Sequence, residues 1–121
     1  MLTQDELLFF QNNSQRLMLY EQLKKGLLSR YPCMFFQTGK TQISLKNRFI
    51  FAAVSLPRRK GEPGLLLTLG LGTQLASSRV TQSVQLRPGR WTHHIPVAHP
   101  EELDQQLWEW LDAAWSFALN K

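Results

Sequence analysis

Six polar or cationic side chains of this 121-residue sequence could together hold an anion: Lys40, Gln42, Ser44, Arg48, Arg90 and His94. Lys and Arg neutralise phosphate or carboxylate, while Gln and Ser orient it through directional hydrogen bonds. Alternation along residues 40–45 puts Gln42 and Ser44 on one side of a strand. The same rule along residues 91–97 separates His94 from His93. The expectation is one sheet face with Lys40, Arg48 and Arg90 forming a single positive surface. The plainer alternative is a solvated outer face, which alternation in an antiparallel sheet ordinarily produces.

Other chemistries fit less well. Thr38-Gly39-Lys40-Thr41 looks like the tail of a phosphate-binding P-loop. That motif needs glycine where Met34 stands and a helix after the lysine, whereas the pattern here is that of a strand. His93, His94, His99 and Cys33 do not make zinc spacing, because neighbouring strand residues point to opposite faces. No metal is expected, and no cofactor motif is present. There is no G-x-S-x-G elbow for a serine hydrolase. Glu101 and Asp104 read as acids at a helix N-terminus, where they meet the positive end of the dipole. An acid–base role for His94 is the enzymatic alternative, and it needs a second titratable group within reach. A third class is a protein-interaction module using exposed Trp108 and Trp110.

Charge is unevenly placed. The formal net charge is +5, with twelve Lys or Arg and one acid between residues 24 and 90, and five acids and one Lys from residue 101 onward. Either basic and acidic elements lie side by side and attract each other, or a cationic sheet face meets an anion such as nucleic acid. Four Trp, seven Phe and many Leu are enough to offset ordering entropy for one domain spanning residues 1–121. No apolar run is long enough to cross a bilayer, and no signal-peptide pattern opens the chain. The single cysteine, Cys33, precludes an intrachain disulfide. These features lead to the expectation of a cytoplasmic protein with no membrane partner.

The elements that must position the six residues follow in order. Thr3 and Glu6 fit a capping box for a short first helix. Asn12-Asn13-Ser14 interrupts it and caps a second, in which Leu17, Tyr20, Leu23 and Leu27 share a face. Gly26 weakens that helix slightly, and Tyr31-Pro32 ends it. Residues 33–38 and 40–45 read as strands, followed by a Lys46-Asn47-Arg48 turn with Asn47 suited to a left-handed conformation. In the next strand Ile50, Ala52, Val54 and Leu56 are expected on one face and Phe49, Phe51 and Ala53 on the other. Residues 58–64 read as an exposed loop. Leu65, Leu67, Leu69 and Leu71 line one face of a further strand. Residues 73–84 remain open between a short helix and an edge strand. In the last strand His93 alternates with Trp91 and Ile95, so it is expected to be more buried than His94. Pro96 argues for an edge position or a bulge near that end of the strand. Pro100 is expected to open the C-terminal helix, whose buried stripe is Leu103, Leu107, Leu111, Ala114, Trp115 and Ala118.

Taken together, the segments Lys-Thr-Gln-Ile-Ser from Lys40, Asn47-Arg48, Arg-Trp-Thr-His-His from Arg90, and Pro-Glu-Glu-Leu-Asp from Pro100 resemble those of a bacterial domain family of unknown function. The resemblance covers most of the chain beyond Tyr31. It implies a small α+β fold and a binding or accessory role, and related domains sometimes appear appended to nuclease-like domains. It supplies no catalytic residues. His99 departs from the small capping residue expected before Pro-Glu-Glu-Leu.

The fold class expected is therefore α+β: an antiparallel sheet of about five strands, with two N-terminal helices and a C-terminal helix packed on one face. Ile43, Ile50, Val54, Leu67, Leu69, Leu107 and Leu111 should be buried together. The function expected is a module, not an enzyme, binding an anionic ligand, nucleic acid or nucleotide, on the basic sheet face.

Overall fold

The computed structural model describes residues 2–120. The element order is α1 (Gln4–Phe9), α2 (Ser14–Arg30), β1 (Phe35–Thr38), β2 (Ile43–Lys46), β3 (Ile50–Ser55), β4 (Leu65–Leu71), β5 (Gln82–Arg87), β6 (Arg90–Val97), a 3₁₀ turn (Pro100–Glu102) and α3 (Gln105–Leu119). The strands form one antiparallel sheet in the order β1-β2-β3-β4-β6-β5. The fold is α+β, with six strands where five were expected. The extra one is β5, whose first half, residues 82–84, lies in the stretch left open.

Alternation explains the core. Ile43, Leu45, Ala52, Val54, Leu65, Leu67, Leu69, Ile95 and Val97 face one side of the sheet and are buried with Leu23 and Leu27 of α2 and Leu107, Leu111, Ala114 and Ala118 of α3. All three helices serve that side, and the opposite face carries none. One core expectation fails. The β2–β3 register shifts between Leu45 and Lys46, so Ala52 stays opposite Leu45 while Ile50 moves opposite Lys46. The bulge turns Phe51 inward, against the Tyr31 and Trp115 rings, and leaves Ile50 45% exposed.

Three local expectations also need correcting. Asn47 does not take a positive φ; Gln11 and Asn12 do, in the turn between α1 and α2. Asn47 instead closes its turn by accepting the Phe49 N–H at 2.9 Å and donating to the Trp115 carbonyl at 3.0 Å. Pro100 opens only the 3₁₀ turn, and α3 begins later, with the Asp104 carboxylate accepting the Leu107 N–H at 3.1 Å. Before that turn, the Glu102 carboxylate accepts the N–H groups of Ala98 and His99, replacing a small cap at position 99. Gly26 is no mere weak point, because a Cβ there would lie 2.5 Å from the Trp108 ring.

Pro96 lies in an inner strand and at no bulge of the β4–β6 ladder, but at a point that β5 does not reach. The Thr81 N–H donates to the His94 carbonyl, and β5 pairs with β6 no further along than His94. Pro96 thus meets β4 through Leu66 on one side and no strand on the other.

A buried polar knot ties α1 to α2. Glu6 is 1% exposed; its carboxylate accepts hydrogen bonds from Lys24 Nζ at 2.7 Å, the Thr3 N–H at 2.8 Å and the Tyr20 hydroxyl. Burial alone would raise its pKa. The Lys24, Thr3 and Tyr20 hydrogen bonds outweigh burial and hold it below the ordinary 4.5.

Candidate functional site

The six residues expected to form one surface are spread across the sheet. Lys40 lies in the β1–β2 turn, where the Gly39 N–H donates to the Gln42 carbonyl at 2.8 Å. Gln42 therefore belongs to the turn and not to a strand. Arg48 occupies the β2–β3 turn and Arg90 begins β6, both at the end of the sheet opposite Lys40. Lys40 lines a separate depression with Asp5 and Thr41. Ser44 lies in the central row of the helix-free face, through Ala53 and Thr68 to His94 and Gln82. It is three strand spacings from His94, about 14 Å. The Gln42 amide donates to Ser44 Oγ at 3.1 Å. Lys40, Arg48 and Arg90 thus form no single positive surface; Gln42 with Ser44 makes one small cluster, and His94 stands in another.

That second cluster is the candidate site. The chain between β3 and β4 folds back over the helix-free face and makes a cleft of about 420 Å³ with β6 and the start of β5. Arg58, Arg59, Glu62, Gln82, His94 and Pro96 line it. Arg58 Nη1 donates to Gln82 Oε1 at 3.3 Å. His94 Nδ1 is 3.1 Å from Thr68 Oγ1 on the next strand, which leaves Nε2 as the ring nitrogen for a ligand. Burial lowers the His94 pKa, and the nearby Arg58 and His93 lower it further. A bound anion would offset the cation and make protonation easier.

The loop is anchored from behind. Arg16 of α2 donates from Nε to the Gly64 carbonyl at 3.0 Å and from Nη2 to the Glu62 carbonyl at 2.9 Å. Gly64 has φ +83°, and a Cβ there would sit 2.2 Å from the Val97 carbonyl oxygen. No other residue type fits that position without displacing the loop.

His93 has a different task. It is fully buried on the core side, as its alternation with Trp91 and Ile95 implied, whereas His94 is half-buried. His93 Nε2 accepts the Leu75 N–H at 3.0 Å, which holds the segment before β5. Burial lowers its pKa, with the Leu69 backbone acting the other way. Among the described residues, no group of three His, Cys, Asp or Glu side chains could hold a metal ion.

Trp108 and Trp110 are not open aromatic surfaces. Both are half-buried, with Arg30 5.0 Å from the Trp108 ring and Arg79 5.6 Å from the Trp110 ring. The same arginines bind Asp112 at 3.0 Å and Asp104 at 2.9 Å. This is the side-by-side pairing of basic and acidic elements that the charge distribution allowed.

Sequence reading missed Arg58, Arg59, Thr68 and Gln82. The Arg58-Arg59-Lys60 run was visible as a loop. Nothing local shows that β4 pairs with β6, or that β5 lies outside it, and those pairings are what bring the loop, Gln82 and His94 together.

The family model described as "Domain of unknown function (DUF5655)" matches residues 9–118. The chain belongs to this DUF5655 family. The matched region contains every residue of the cleft. Neither the curated proteins nor the solved structures compared with this DUF5655 chain give a match. No helix among its described residues is long and apolar enough to cross a membrane.

Proposed function

We propose that the chain is a non-catalytic module that binds an anionic ligand, a nucleotide or nucleic acid, in the cleft on its helix-free face. The observation that carries this reading is the convergence of Arg58, Arg59, Gln82 and His94 from three separate parts of the chain on one concave site. Two guanidinium groups match phosphate oxygens, and the amide and imidazole supply directional hydrogen bonds. Of the residues first expected to serve this role, His94 keeps it. Lys40, Arg48 and Arg90 contribute at most long-range attraction, and Gln42 and Ser44 lie outside the cleft. We place the module's work in the cytoplasm, since its one cysteine, Cys33, is an exposed free thiol.

Calorimetric titration with inorganic phosphate, a mononucleotide and a short oligonucleotide, each at two salt concentrations, tests the reading. Arg58→Ala/Arg59→Ala should weaken binding by tenfold or more, since hydrogen bonds to charged groups contribute about 1.5–3 kcal/mol each. It should also flatten the salt dependence. No binding at low salt, or an unchanged affinity in the double variant, would reject it.

A further inference from the structure

Next to the cleft on the same face lies a hollow of about 220 Å³, lined by Gln42, Ile50, Ala53, Thr68, Gly70 and Thr92. Gly70 is its unexplained feature. It lies within β4, a central strand, where glycine weakens pairing and packs nothing. Its φ is not in the left-handed region, and a Cβ added there meets nothing within 4 Å. Each of the other six glycines has either a positive φ or a neighbouring atom within 4 Å of the missing Cβ. The fold therefore does not require glycine at position 70, and what its absence of side chain provides is open space.

The hollow and the cleft adjoin through the Thr68–His94 contact of 3.1 Å. Gly70 and Thr92 pair with each other two residues along from the Thr68–His94 pair. The two pairs are about 7 Å apart along the strands. One site is cationic and the other flat, small-sided and partly apolar, with the exposed Ile50 side chain as a wall. A pentose joining a phosphate to a planar base spans that gap.

We propose that cleft and hollow hold one ligand, a nucleoside 5′-monophosphate group, with its phosphate at Arg58, Arg59 and His94 and its base over Gly70. This rests on the anion-binding reading and gives it a ligand class. Thr68 is then a positioning residue: by engaging Nδ1 it turns His94 Nε2 toward the phosphate. The Gln42 amide, held by Ser44, stands at the edge of the base. The same group is presented by a free mononucleotide and by the 5′-phosphorylated end of a single strand.

The test compares the four nucleoside 5′-monophosphates with ribose 5-phosphate by calorimetry at low salt. The best nucleotide should bind about tenfold more tightly than ribose 5-phosphate, from stacking of the base. Gly70→Leu, which fills the hollow, should bring the nucleotide down to the ribose 5-phosphate level and leave ribose 5-phosphate itself unchanged. Gly70→Ala adds one methyl group into open space, keeps the fold and should show part of the loss. A 5′-phosphorylated dinucleotide binding as tightly as the mononucleotide supports the strand end as source, and weaker binding supports the free nucleotide. Ribose 5-phosphate and all four nucleotides binding equally, or a nucleotide preference that survives Gly70→Leu, overturns this inference alone. No binding of any of them overturns the anion reading as well.

Discussion

Replacing a glycine inside a helix by alanine ordinarily stabilises a protein by about 0.4–1 kcal/mol, because the unfolded chain loses more freedom than the helix does. Gly26 of α2 should do the reverse. An added Cβ would lie 2.5 Å from Cη2 and 2.6 Å from Cζ2 of Trp108. Trp108 cannot move freely, since Arg30 lies over its ring and α3 is anchored in the core by Leu107 and Leu111. Overpacking of this kind costs about 1–3 kcal/mol. The net effect of Gly26→Ala is a loss of up to about 2 kcal/mol. In a Trp108→Leu background the clash is gone, and the same change should stabilise by up to about 1 kcal/mol. Urea unfolding followed by circular dichroism reads both, as shifts of the midpoint at constant slope. The sign reversal between backgrounds is the signature. A raised midpoint for Gly26→Ala in the wild-type chain would show that α2 and α3 do not pack as described.

Glu6→Gln should cost about 3–5 kcal/mol, because it removes the carboxylate that faces the buried Lys24 ammonium. The Glu6 pKa lies below 4.5, so its stabilisation is complete above pH 4.5 and fades as pH falls through the lower folded value; unfolding midpoints of Glu6→Gln should be flatter than wild type in that window. The His94 imidazole, followed by proton NMR, should titrate below 6.5 in the free protein, and Arg58→Ala should move it upward. Sulfate, whose charge is constant across this range, should also raise it, and by linkage bind more tightly as pH falls through that value; a titration unmoved by sulfate would place the anion away from His94.

Where two periodicities agreed, the sequence was readable. Thr3 and Glu6, Asn13, and the Leu65–Leu71 alternation each describe a short stretch whose neighbours are local, and the structure has all three. The order of burial of His93 and His94 was legible for the same reason. The bulge in β3 was not, because Phe49-Ile50-Phe51-Ala52-Ala53 is apolar on both faces and no polar residue marks the slip. The edge strand β5 was obscure because Gln82–Arg87 buries almost nothing. The site was hidden more deeply. It depends on a sheet order in which β4 and β6 are neighbours while β5 lies outside, and sequence distance carries no information about that.

The placement of the positive charge matters more than its total. Arg16 is spent on two backbone carbonyls, Arg30 on Asp112 and Arg79 on Asp104 and the Glu102 carbonyl. Those arginines hold helices and loops and offer little to a ligand. Arg58 and Arg59 face a cleft, and the bond from Arg58 to Gln82 is longer than those structural ones. The loop that carries them is tied to Arg16 of α2 at the Glu62 and Gly64 carbonyls. The helix α2, which packs on the other face of the sheet, thus has a part in the cleft. Through Arg16, α2 holds the wall of the cleft in place, while the small residues of β3 and β4 leave the floor beside it bare.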